Sequence, residues 1–274
     1  MPTAALVLAL CAAVVHAFWN TLLARAKDAE AATAVALVVA EVVFAPVAAL
    51  DWHVHASVWP FVVASGTLEL VYFALLAAAY RRVELSVVYP IARGGAPVLV
   101  LAVGVVALGK STSIEQVFGV LLVATGVVLV RGGLRGADPR GIAFGLAIAT
   151  CIAGYTLVDK HGITHARAIP YLELTMLPSA IVYPAAVLAA KGRARVRAAV
   201  GPAPFLAGIA TFVAYTLVLA ALERASAASV AAVRETSVVV AALLAATVLN
   251  EKVGPLRLAG AVVVAAGIAT LALG

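Results

Sequence analysis

Apolar runs of about 20 residues follow one another from end to end of this chain, and no polar stretch between them exceeds about a dozen residues. An α-helix of that length crosses the ~30 Å hydrocarbon core of a bilayer, whereas the strands of a membrane barrel would show ~10 residues of alternating polarity. The pattern predicts an all-α integral membrane protein and leaves no room for a soluble domain. Composition agrees: of 274 residues 65% are hydrophobic and 12% charged, against roughly 25% charged in soluble chains. Ten spans are expected, at Ala4–Leu23, Ala32–Leu50, Val58–Tyr80, Leu85–Leu108, Ile114–Val130, Gly141–Val158, Ile169–Ala190, Pro204–Leu222, Ala227–Leu249 and Gly254–Leu273. The first apolar run begins at once, without a basic leader or cleavage pattern, so it reads as a span and not as a removable signal.

The short connections make consecutive helices antiparallel neighbours and assign the loops alternately to two faces. One face collects 13 lysines and arginines, among them Arg25, Arg81, Arg140, Arg195 and Lys252, and the other collects 4, which are Lys110, Lys160, Arg167 and Arg224. The richer face is expected to be cytoplasmic, placing a multi-pass protein in the inner (cytoplasmic) membrane with both termini outside. The net charge of +6 is accounted for by these loops, and no nucleic-acid partner is implied.

The two halves resemble each other. Laying Leu108–Gly126 (LGKSTSIEQVFGVLLVATG) on Leu249–Gly267 (LNEKVGPLRLAGAVVVAAG) pairs Gly119 with Gly260 and Gly126 with Gly267 at one offset of 141, which also puts Arg93 on Arg234. Five spans per half is odd, so the second half enters the membrane inverted, the signature of an inverted-topology repeat. The division expected is residues 1–136 and 137–274.

Chemistry is expected where polar groups interrupt the spans. YPIARGGAP, residues 89–97, places an arginine, two prolines and a glycine pair inside an apolar run; it is expected to break the fourth helix and line a cavity. The second half has Arg234 without prolines or glycines beside it, so any hinge is expected in residues 89–97 alone. Seven residues are costly at membrane depth: His16, Glu41, Glu69, Arg93, Glu173, Arg234 and Glu235, with Glu173 near a span end. Arg93 and Arg234 approach the middle from opposite faces, and two permanently charged, fork-shaped guanidinia converging there suit a carboxylate or phosphoryl group. The alternative is internal neutralisation by Glu41, Glu69 and Glu235.

Helical spacing groups further candidates. His16, Trp19 and Asn20 share one face of the first helix, Glu69, Tyr72 and Phe73 one of the third, and Thr211 and Tyr215 one of the eighth. Tyr89 precedes Arg93 by one turn, and Ser237 follows Arg234 by three residues. Trp19, Tyr155 and Tyr171 are equally readable as interfacial anchors or packing. The glutamates have a second reading, as buried proton acceptors coupling substrate to a proton gradient. Cys11 and Cys151 fall in apolar helices and read as small hydrophobes. No metal, nucleophile or phosphate-loop pattern occurs, so neither cofactor nor enzyme activity is expected.

HAFWN in the first span, YPIARGGAP in the fourth, and VRETSVVVAALLAATVLNEKVGPLRLAGAVVVAAGI across the last two resemble the drug/metabolite transporter superfamily, EamA-type branch. The likeness covers essentially the whole chain. It implies a central cavity built by the first four helices of each half, with the fifth and tenth outside, so that His16, Trp19, Asn20, Glu69, Tyr72, Arg93, Tyr215 and Arg234 line the path. Substrates of such proteins include amino acids, other small metabolites, drugs and nucleotide sugars. The chain departs from the pattern in carrying Ser237 and Val238 where many members have proline, and in a loop charge that opposes their cytosolic termini. The function expected is alternating-access secondary transport of a small polar, anionic or zwitterionic metabolite: an amino acid, organic acid or phosphonate. Export of cationic or lipophilic drugs on a buried glutamate is the alternative within transport, and a non-transporting membrane protein the alternative outside it.

Overall fold

The computed structural model describes residues 1–83, 85–130, 138–248 and 254–273, and they are almost wholly helical. In order the helices are α1 (Thr3–Ala24), α2 (Ala29–Leu50), α3 (Trp59–Arg82), α4 (Leu85–Val106), α5 (Ile114–Val130), α6 (Pro139–Gly162), α7 (Ala168–Ala198), α8 (Pro202–Arg224), α9 (Ala227–Arg234), α10 (Thr236–Val248) and α11 (Pro255–Leu273). A 3-10 turn at Ala56–Val58 leads into α3. The LNEK turn, the division between residues 136 and 137, and the loop charges Arg131, Arg135 and Lys252 lie outside the described residues.

Helix starts follow local chemistry. Asp28 caps α2 by accepting from the Ala31 N–H, Asp138 caps α6 by accepting from Arg140, and Ser226 caps α9 by accepting from Ser229. Pro139 and Pro202 occupy first turns, where the missing N–H has no helical partner to lose. α6 and α7 outrun their expected ends. α6 continues to Gly162, which brings Asp159 inside the helix, and α7 continues past Gly192, whose φ of 78° turns the basic segment after it.

Eight helices, α1 to α4, α6 to α8 and α11, are long and apolar enough to cross a membrane. This is a multi-pass membrane protein. The two remaining expected spans differ in form: α5 has only 17 residues, and the ninth is divided into α9 and α10 at Glu235.

That division corrects the expectation about helix breaks. YPIARGGAP does not break α4, which runs continuously through Pro90 and Pro97. The glycine pair serves contact instead. A Cβ at Gly94 would stand 3.0 Å from the Ala124 carbonyl oxygen of α5, and one at Gly95 would stand 3.3 Å from the Ala149 side chain of α6. The break lies in the other half, at Arg234–Glu235, where the backbone turns through shorter-range bonds: Glu235 N–H to the Ala232 carbonyl (3.1 Å) and Val238 N–H to the Glu235 carbonyl (3.0 Å). No proline or glycine marks this position.

Packing joins the halves. α1 lies on α8, α2 on α7 and α8, α3 on α6 and α7, α4 on α6, and α5 on α11. Lipid offers no hydrophobic drive between helices, so close contact of small residues does the work. In α1 the buried face is Ala5, Ala9, Ala12, Ala13 and Ala17, while Val42, Val63, Phe118 and Ile181 on other helices point outward. α5 and α11 touch backbone to backbone: a Cβ at Gly126 would lie 2.8 Å from the Gly260 carbonyl oxygen, and one at Gly119 would lie 3.0 Å from that of Gly267. At both termini the chain is tied to itself, the Met1 ammonium donating to the Leu271 carbonyl at 3.1 Å.

Candidate functional site

Arg93 sits nine residues into α4 and is buried, 8% exposed. Tyr89, one turn earlier, places its ring 5.6 Å below the guanidinium, a cation–π contact dictated by the i, i+4 spacing. The guanidinium reaches two other helices. Nη1 donates to Glu235 Oε1 at 3.3 Å, at the α9–α10 junction, and Nη2 donates to His16 Nε2 of α1. Because a guanidinium has donors only, His16 Nε2 takes the acceptor's part in this contact.

Arg234 ends α9 and is 3% exposed. Its Nη2 donates to the Tyr155 hydroxyl of α6 at 3.4 Å, and its Nε lies 3.9 Å from Glu235 Oε1. One carboxylate oxygen therefore serves two guanidinia contributed by the two halves of the chain. Breaking the helix at Glu235 is what permits this, since neighbouring residues on a regular helix point 100° apart. Glu69 of α3 and Asp159 of α6 are buried within electrostatic range of Arg234.

The centre is incompletely satisfied. Arg234 Nε, Trp19 Nε1, Ser237 Oγ and Glu235 Oε2 are buried without a hydrogen-bond partner among the described residues, an arrangement that costs free energy unless something else completes it. Arg234 Nε and Trp19 Nε1 are donors, the Ser237 hydroxyl can donate or accept, and Glu235 Oε2 is an acceptor. Ala12, His16, Ala214, Tyr215, Val218 and Arg234 bound a crevice too narrow to admit a water molecule. The conformation is thus closed around its charges.

Most of the expected site residues meet here. His16, Tyr89, Arg93, Arg234 and Glu235 are brought together, with Trp19 edge-on to His16 at 4.8 Å and Tyr215 at 6.3 Å, and Ser237 is buried two residues after Glu235. Tyr72 stands 6.5 Å from Tyr155, extending the aromatic wall toward α6. Two polar side chains bond their own helices, and one acid is placed elsewhere. Asn20 bonds back to the His16 carbonyl of its own helix at 2.9 Å, as Thr211 does to Ala207 at 2.7 Å. Glu41 lies on α2 beside Glu173, away from both arginines.

Tyr155 and Asp159 are the site residues that sequence reasoning passed over. Tyr155 reads equally as an anchor, and Asp159 falls beyond the expected end of its span. The available signal is their i, i+4 spacing, which puts both on one face of α6, where the Asp159 carboxylate accepts from the Tyr171 hydroxyl at 2.8 Å. Among the described residues no group of three or more His, Cys, Asp or Glu is placed to hold a metal ion.

The sequence profile of the EamA-like transporter family matches residues 3–132 and again residues 139–273. A solved crystal structure of a protein has the same fold, with a TM-score of 0.78 at 16% identity, covering 100% of this chain and 98% of the other. No curated protein matches the chain.

Proposed function

Because the chain belongs to the EamA-like transporter family, within the drug/metabolite transporter superfamily, we propose that it is a secondary transporter of a small anionic or zwitterionic metabolite. It works by alternating access around the Arg93–Glu235–Arg234 centre. The observation that carries this reading is the sharing of one carboxylate by two buried guanidinia from the two halves. Glu235 occupies the place that a substrate carboxylate or phosphoryl group would take. Arrival of such a group lets each guanidinium form its own fork, and it frees Glu235 to hold a substrate amine. The edge-on aromatics, Trp19 and Tyr215, close the sides of an amino-acid-sized ligand.

Ten crossings in two inverted halves, residues 1–136 and 137–274, are part of this reading. α5 spans as a short helix of roughly 25 Å, and α9 with α10 make one interrupted crossing. Three features support it. The family profile matches twice in tandem. Helix contacts recur with the halves exchanged, α1 on α8 as α6 on α3, and α2 on α8 as α7 on α3. Gly119 meets Gly267 while Gly126 meets Gly260, the reciprocal crossing that a twofold axis imposes on residues equivalent at an offset of 141. The Met1–Leu271 contact brings the two ends together, which supports an even number of crossings. Loop charge places those ends outside the cytoplasmic membrane. Movement of substrate is coupled to a proton through a buried carboxyl.

A thermal-shift screen of acids, amines and zwitterions on purified protein, followed by proteoliposome transport, tests the reading. Carboxylates and zwitterions are expected to stabilise wild type and to lose that effect in Arg93→Ala and Arg234→Ala. Stabilisation by amines alone would instead support cation export on a buried glutamate.

A further inference from the structure

α2 and α7 pack side by side, and ionisable residues join them at three levels. At one end Asp28 and Glu30 hold Lys191 at 2.6 and 2.5 Å; at the other Asp51 pairs with Arg167. Both end contacts join opposite charges. The level between them joins like groups, the carboxyl of Glu41 lying within hydrogen-bonding reach of that of Glu173.

Glu41 is 7% exposed, and neither of its oxygens, nor Glu173 Oε2, receives a bond from any described donor. The surroundings offer no relief. α8 meets this part of α2 with Phe212 stacked on Phe44 at 4.1 Å, and the further charged group that faces Glu41 is another acid, Glu69 of α3. Two bare carboxylates in such a place repel each other. With one proton between them the same contact becomes an O–H···O⁻ bond, among the stronger hydrogen bonds available to side chains. Among the described residues no group of three or more His, Cys, Asp or Glu is placed to hold a metal ion, and a proton is the cation that joins two carboxyl groups directly.

We propose that Glu41 and Glu173 form a proton-binding site separate from the arginine centre. One shared proton holds α2 against α7 in the closed conformation. When the helices part, the O–H bond breaks, water takes the proton as hydronium, and two carboxylates remain whose repulsion opposes closure until a proton returns. The proton site stands on this geometry alone; its coupling to substrate rests on the transporter reading above.

The test uses the full chain in liposomes. Acid-minus-base infrared difference spectra report protonated carboxyl groups, and transport is measured both as accumulation driven by a pH gradient and as substrate counterflow without one. In wild type a titrating carboxyl band is expected. Glu41→Gln and Glu173→Gln each supply an amide donor to the remaining carboxylate, so each is expected to remove the band and abolish gradient-driven accumulation while counterflow persists. Glu173, at a half-buried position, carries the test if Glu41→Gln does not assemble. A band that survives in both variants, or accumulation that survives in both, overturns the proposal. Arg93→Ala separates the two readings: counterflow unchanged there removes the anion site and leaves the band assignment standing.

Discussion

Arg93 Nη1 and Glu235 Oε1 meet at 3.3 Å although 142 positions separate them in the chain, and the contact joins a continuous helix of the first half to a broken one of the second. Both side chains are almost fully buried, so the pair is held by mutual neutralisation in a medium that offers no water. Replacing one partner strands the other. Arg93→Ala is expected to lower stability by about 3 kcal/mol or more, and the double variant Arg93→Ala/Glu235→Ala to recover part of that loss. Thermal unfolding in detergent of the four proteins reads the coupling; strict additivity would deny the pair its structural role.

Glu235→Gln has a more specific expected effect. The variant keeps the shape of the side chain but removes the internal anion that Arg93 and Arg234 share. Carboxylate ligands are then expected to bind more tightly and amines less tightly than to wild type. Isothermal titration with matched acids and amines measures both, and weaker acid binding would contradict the idea that Glu235 stands where the substrate anion goes.

Lysine at position 93 is expected not to restore transport. Its ammonium is a point charge and cannot extend a planar fork to Glu235 and His16 together. Initial uptake rates of Arg93→Lys should resemble those of Arg93→Ala, with the lysine variant recovering thermal stability better than it recovers rate.

Gly126→Ala tests the α5–α11 contact. The added methyl would sit 2.7 Å from the Val264 nitrogen and 2.8 Å from the Gly260 carbonyl oxygen, where backbone and not a flexible side chain must move. A loss of about 1 to 3 kcal/mol is expected from overpacking. The unfolding temperature in detergent should fall, and an unchanged value would contradict the close α5–α11 contact.

At the start of α2, Asp28 both caps the helix and bonds Lys191. The hydrogen bond from Lys191 holds its carboxyl below the usual carboxylate range. A depressed folded value means that the contribution is complete above the ordinary aspartate range and is lost as pH falls through the depressed one. Asp28→Ala is expected to cost about 1 kcal/mol as a lost cap, and the gap between wild type and variant should narrow in acid. A gap that widened as pH fell would reverse the sign of the linkage.

Much of this arrangement was legible before any coordinates. Long apolar runs dictate membrane helices because an unsatisfied backbone in hydrocarbon is too costly, and charges within those runs mark the centre because each must be compensated. The offset of 141 singled out Arg93 with Arg234, and the glycines of α5 with those of α11. Other features lay beyond such reasoning. Pro90, Pro97 and the glycine pair look like a break in α4, but neighbouring helices press against that segment and keep it helical, whereas the unmarked Arg234–Glu235 step turns. Glu235, Glu41 and Glu69 are alike as buried acids, yet the first meets two arginines, the second another carboxyl, and the third Asp159 and Arg234 at longer range. What the sequence determined by itself was each residue's burden, the desolvation of a charge or the loss of a donor, because that depends on the residue and its immediate run. Which partner relieves it depends on which helices face each other across more than a hundred residues of chain, and only the packed bundle decides that.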